Sequence, residues 1–189
     1  EASGGVFRTS DLKALGYNTY AIRKLVNEKV IERVKSGYYR LSESSQRLSE
    51  AAQIAQLFPD GVLCMYTALF YYRYSDRTPL EWNVAVDRDT SKSRFNLDYP
   101  FVQPYYMKKE FLSLGITTAE YGDCTMQIFD RDRLICECIF YENKMDRETY
   151  NKAIQGYVAD AKKNVPKLLE YAEKRRVLKK VKDRIGVWL

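Results

Sequence analysis

The sequence contains no histidine. That absence removes Ser–His and Cys–His nucleophile pairs, histidine general bases and most zinc sites. Catalysis would have to rest on carboxylates, lysine or a bound metal. Cysteine is scarce. Cys64, Cys124, Cys136 and Cys138 are irregularly spaced and mostly set in apolar runs, so they read as buried thiols of a reducing cytoplasm rather than a disulfide framework. A single residue separates Cys136 from Cys138, which is not a zinc-knuckle spacing. No apolar run approaches the roughly 20 residues needed to cross a bilayer, and the opening EASGGVFRTS lacks the basic-then-apolar order of a signal peptide. A glycine-rich phosphate loop, an internal repeat and a low-complexity tract are all missing. The expectation is a cytoplasmic protein with no membrane partner, no cofactor and no assigned catalytic or metal-binding residue.

What is present suits a folded, charge-segregated chain. Its 189 residues can hold one ordinary domain, or a small N-terminal module and a larger companion. With 46% hydrophobic and 30% charged residues, there is enough apolar material for a core. The formal net charge of +6 is uneven: residues 1–41 carry +4, residues 42–161 carry −5 and residues 162–189 carry +7. Basic ends around an acidic middle point to a polyanion at one or both ends, and to a basic partner between them.

Residues 8–15, RTSDLKAL, read as a short helix with Thr9 or Ser10 as N-cap before Leu12 and Leu15. Gly16 ends it. Asn18 or Thr19 caps a second helix whose Ile22, Leu25 and Val26 recur at three- and four-residue spacing, leaving Thr19, Tyr20, Arg23, Lys24 and Asn27 on the other face. VIERVK then alternates, Ser36-Gly37 supplies a turn, and Tyr38, Tyr39 and Leu41 form the return strand. Helix, turn, amphipathic helix and basic hairpin is the order of a winged helix-turn-helix over residues 1–41. A complete one carries a further helix before Thr9, expected upstream of residue 1.

Ser42–Ser45 is a polar linker and the expected domain boundary. Beyond it, over 45–189, Leu48, Ala51, Ala52, Ala55 and Leu57 mark a helix over 46–57, and a short buried helix follows around Thr67–Tyr72. Strands are expected at LEWNVAVDR, 100–107, 115–121 and 124–129, and helices from Arg131 to the end. The fold class is therefore α+β: a winged helix-turn-helix followed by a larger mixed domain ending in a helical segment.

A recognition helix enters the major groove N-terminus first, so Asn18, Thr19, Tyr20, Arg23 and Lys24 are the candidates for base edges. Arg23 suits a guanine edge bidentately, and Lys24 or Asn27 a phosphate. Thr9 and Ser10 open the preceding helix, where free N–H groups suit a phosphate. Arg33, Lys35 and Ser36 lie on the wing, expected over the backbone or minor groove.

The block FRTSDLKALGYNTYAIRKLVNEKVIERVKSGYYRL resembles the N-terminal domain of AbiEi-type antitoxins of abortive-infection type IV toxin–antitoxin systems. Thr9, Leu15, Gly16, Leu25, Val26, Ile31, Arg33, Gly37 and Tyr39 carry the likeness. IFDRDRLICECIFYENKMDRETYNKAIQGYV is similar to a second family segment, with Asp132 and Arg133 at its acid and base, Leu134 where threonine is common and Glu137 in place of aspartate. LLEYAEKRRVLKKV is similar to its C-terminal Tyr-Ala helix, so the resemblance spans most of residues 7–185. It implies a repressor that binds inverted repeats in double-stranded DNA at its own promoter. It also implies antagonism of a cognate nucleotidyltransferase toxin, with or without direct contact. Two other readings stand beside it. One is a stand-alone winged-helix regulator without a toxin. The other is a metal-dependent nucleic-acid enzyme using Asp87, Asp89, Asp130 and Asp132, although Asp130–Arg133 also reads as charge capping a helix.

Overall fold

The computed structural model describes residues 6–42, 49–122 and 124–188. Among them the chain is α+β and divides into two compact units. The first comprises Glu1–Pro59, Ser91–Val102 and Glu120–Thr125; the second comprises Asp60–Thr90, Gln103–Ala119 and Met126–Leu189.

The first unit begins with strand β1 (Val6–Arg8), helices α1 (Thr9–Ala14) and α2 (Thr19–Asn27), and the hairpin β2 (Ile31–Lys35) and β3 (Tyr38–Leu41). The three strands form one sheet in the order β1-β3-β2, with Phe7 opposite Tyr39 and Ile31 opposite Leu41. A helix pair whose flanking strand closes onto the hairpin is the winged helix-turn-helix arrangement. Leu12, Ile22 and Ile31 are buried together, and Phe7, Leu25, Val26 and Tyr39 pack against them. Gly16 turns the chain between the helices at φ +90°, in the left-handed region open to glycine. Asn18 caps α2 as expected, its Oδ1 accepting from the Ala21 N–H at 2.8 Å. Strand β1 is an addition to the expected elements; three residues are too few to show a period. Residues 1–5, on which the expectation of an earlier helix bears, lie outside the described residues.

Two local expectations are corrected here. The N-cap of α1 is Arg8, not Thr9 or Ser10, and the Asp11 carboxylate closes that end by accepting from the Arg8 N–H at 2.8 Å. Strand β2 does not alternate strictly, because its pairing shifts between Arg33 and Lys35. Val34 is the extra residue of this bulge, and it turns inward together with Lys35.

Helix α3 (Glu50–Leu57) follows, with the Ser49 hydroxyl accepting from Ala52 N–H at 3.2 Å. Residues 43–45 of the expected linker, and Leu48 of the expected stripe, lie outside the described residues. The first unit thus holds more than the winged module, since it takes in α3 and two later segments. Phe58 stacks on Phe95 with ring centroids 5.1 Å apart, and Arg94 donates to the Leu57 carbonyl at 3.1 Å.

A five-stranded sheet, most of whose residues belong to the second unit, has β4 (Val62–Leu63) at its centre with β5 (Trp82–Asp87), β6 (Val102–Met107), β7 (Ile116–Tyr121) and β8 (Cys124–Phe129), in the order β6-β5-β4-β8-β7. Strand β4 is antiparallel to β5 and parallel to β8. Helix α4 (Met65–Tyr71) lies between β4 and β5 in the chain, and the short α5 (Lys109–Leu112) between β6 and β7. Helices α6 (Arg131–Phe140), α7 (Arg147–Ala159), α8 (Val165–Lys174) and α9 (Leu178–Ile185) complete the unit.

Every residue of α6 from Asp132 to Ile139 is buried, Asp132, Arg133 and Glu137 included. A charge inside protein must be paired or it is prohibitively costly. Glu137 meets that demand by accepting from Arg175 Nε and Nη2 at 2.6 and 2.8 Å, and from Arg133. Arg133, fully buried, also donates to the carbonyls of Leu114 and Phe111 at 3.1 Å each and lies over the Phe129 ring. Gly115 is needed beside it, because a Cβ there would lie 2.6 Å from Arg133 Cβ, at a backbone φ of +71°.

Candidate nucleic-acid interface

Helix α2 buries Ile22 and half-buries Leu25 and Val26. At 100° per residue the opposite arc belongs to Tyr20, Arg23, Lys24 and Asn27, and all four are exposed, as are Asn18 and Thr19. Four of the six expected residues, Tyr20, Arg23, Lys24 and Asn27, therefore share one outward arc, and Asn18 and Thr19 lie exposed at the N-terminal end of the helix. They are not equivalent. Asn18 spends its carbonyl oxygen on the helix cap. Lys24 faces Glu28 one turn on, 3.7 Å away. Tyr20 is 77% exposed, and Leu15 and Tyr17 in the preceding turn are exposed as well.

At the start of α1 the expected phosphate seat is already filled. Thr9 N–H donates to the Gly37 carbonyl at 2.8 Å, and Asp11 takes the Arg8 N–H and the Ser10 hydroxyl. The Asp11 carboxylate takes one backbone donor of that end, and its charge disfavours a second anion beside Thr9 and Ser10. The acid three residues beyond Arg8 was the available signal, since it is the spacing of a capping box.

The wing is corrected at Lys35. This side chain is only 6% exposed. Its ammonium lies over the rings of Tyr38 and Phe58, 4.4 and 5.0 Å from their centroids, and donates to the Arg94 carbonyl at 3.3 Å. A lysine enclosed in this way cannot reach a phosphate. Nothing local in the sequence announces the bulge that turns it. Arg33 and Ser36 remain exposed, and the Arg8 guanidinium also sits over the Tyr38 ring, at 5.6 Å. Arg40 is tied back to Glu32 and Gln53. The exposed cations of this module without a carboxylate partner among the described residues are Arg8, Lys13, Arg23, Lys29 and Arg33.

The strands run in the order β1-β3-β2, and α2 presents an exposed polar and basic face. Residues 1–42 match the family of transcriptional regulators described as AbiEi antitoxin. Comparison with curated proteins gives no match. The AbiEi likeness lies on the winged module just described and supports an antitoxin-type regulator, from a family that is regulatory.

Outside the AbiEi-like segment, the four aspartates weighed for metal chemistry are separately engaged. Asp87 accepts from the Asp89 N–H at 2.9 Å. Asp130 caps α6 through the Arg133 N–H at 2.8 Å and accepts from the Tyr171 hydroxyl at 3.0 Å. Asp132 accepts from the Tyr157 hydroxyl and the Asn164 N–H, both at 2.8 Å, and burial raises its carboxyl above the ordinary range. Among the described residues no three acids or cysteines gather where a metal would be held. Leu134 is fully buried, and Glu137 anchors the two arginines. Burial pushes the thiols of Cys64, Cys136 and Cys138 far up, which makes them poor nucleophiles. No helix among the described residues is long and apolar enough to cross a membrane.

Proposed function

We propose that this protein is the antitoxin of a type IV, abortive-infection toxin–antitoxin pair. Residues 1–41 bind inverted repeats in the promoter of its own operon and repress it, and residues 45–189 counter a nucleotidyltransferase-type toxin in the cytoplasm. The observation that supports this most directly is the coincidence of the AbiEi match with the exposed α2 face. Arg23 reads a guanine edge, and Arg33 with Ser36 holds the backbone beside it.

Two measurements test the two halves. Binding of the full chain to its promoter duplex should weaken steeply with salt. Arg23→Ala should cost on the order of 1–3 kcal/mol and flatten base preference. Co-expression with the neighbouring gene should restore growth, and Arg23→Ala should leave that rescue intact. Substitution is preferable to deleting residues 1–41, since Phe58 and Arg94 of the same unit rest on Lys35. A neighbouring gene that is not a nucleotidyltransferase would refute the antitoxin half and leave the repressor half standing.

A further inference from the structure

The α2 surface carries one residue that electrostatics does not explain. Tyr20 is the second residue of the helix, 77% exposed, and among the described residues no hydrogen bond, ring or ion pair holds it. It stands on the same arc as Arg23, about 4.5 Å away along the axis, between one and two base-pair steps of about 3.4 Å. A large aromatic side chain left in water at that point forfeits the burial its ring would otherwise gain. In a major groove the one apolar group on any base edge is the C5-methyl of thymine. Lys24, the next side chain on this arc, is drawn toward Glu28.

We propose that Tyr20 determines specificity by packing its ring on a thymine methyl group, one or two base-pair steps from the guanine taken by Arg23. The inference rests on α2 being the reading helix. The half-site then contains a thymine one or two steps from a G·C pair, and its recognition at that position is apolar. Contact with the methyl group does not require the phenol hydroxyl.

Uracil is thymine without this methyl group, which gives a one-group test. The probe is a duplex of the promoter region upstream of the protein's own reading frame, with thymines replaced singly by uracil, titrated with the full chain. At one thymine per half-site the wild type should lose about fourfold in affinity, what burying one methyl group is worth. Tyr20→Phe should show the same loss. Tyr20→Ala should bind more weakly and no longer distinguish thymine from uracil. Salt-dependent binding with no sensitive thymine, or a Tyr20→Ala variant as sensitive as wild type, overturns the proposal while the DNA-reading role survives. Absence of any binding to the promoter overturns both. Unchanged DNA affinity in Tyr20→Ala with lost growth rescue would assign the ring to a protein partner instead, and the proposal fails.

Discussion

Lys35 is where a charge that looks available for DNA is committed to the fold, and replacing it separates the two roles. In Lys35→Met the aliphatic stem is retained and the ammonium removed. The ammonium donates to a carbonyl at 3.3 Å, a long hydrogen bond, and stands over the rings of Tyr38 and Phe58. Charged hydrogen bonds contribute roughly 1.5–3 kcal/mol at good geometry and each partly desolvated cation–π contact about 0.5–2 kcal/mol. Desolvation of the ammonium cancels part of this, leaving a net destabilisation of about 1–2 kcal/mol. In a unit of this size each kcal/mol corresponds to roughly 4–8 °C in Tm. Thermal unfolding followed by circular dichroism should show the first unit melting earlier. DNA binding at a temperature where the variant is folded should keep the wild-type salt slope. Arg33→Ala should do the reverse, leaving Tm in place and lowering the slope by about 0.9, the share of a single neutralised phosphate. A Lys35→Met protein with an unchanged Tm and a slope reduced by that amount would refute the enclosed-lysine argument.

Glu137→Gln should cost about 3–5 kcal/mol in urea unfolding, because Arg133 and Arg175 are left buried without their counter-charge. Replacing all three with apolar residues of similar volume should cost less than that single change. Helices α2, α4 and α8 each end with a basic residue in the left-handed region, Lys29, Arg73 and Arg176 at φ 55°, 60° and 58°. Glycine at each should raise stability by about 0.5–1 kcal/mol in denaturant titrations. The Arg184 guanidinium holds the Glu142 carboxyl below its ordinary value of 4.5, so the pairing contributes stability above that pH and loses it as pH falls through the lowered value. Wild type and Glu142→Gln should therefore differ in urea midpoint at pH 7 and converge as pH falls through the lowered Glu142 value.

Much of this architecture is legible in the sequence because its elements are long enough to show a period. Helix α2 announces itself through Ile22, Leu25 and Val26, and its cap through Asn18. The wing is marked by its β-branched residues and by Ser36-Gly37, and the later strands and helices fall close to their expected places. Strands β1 and β4, of three and two residues, are too short for any pattern, and only pairing partners remote in sequence create them. Helix α6 misleads in another way. Asp132, Arg133 and Glu137 look like a solvated face, and only Arg175, Tyr157 and Asn164, brought in by later helices, allow them inside. Among the site residues, the α2 surface was readable because a helix's outward arc follows from its inward one. Lys35 was not, because a bulge of one residue reverses the side on which a strand's side chains emerge.

A helix with no solvent face also has consequences for motion. From Asp132 to Ile139 every side chain of α6 is buried, so opening it would expose the paired charges of Arg133 and Glu137. Its hydrogen exchange should proceed only through opening of the whole second unit, whereas α9, with only Val181 and Ile185 buried, can open locally at far lower cost. The second unit then behaves as a single cooperative block with one labile C-terminal edge. A partner that engages that edge would meet the part of the unit that opens most readily.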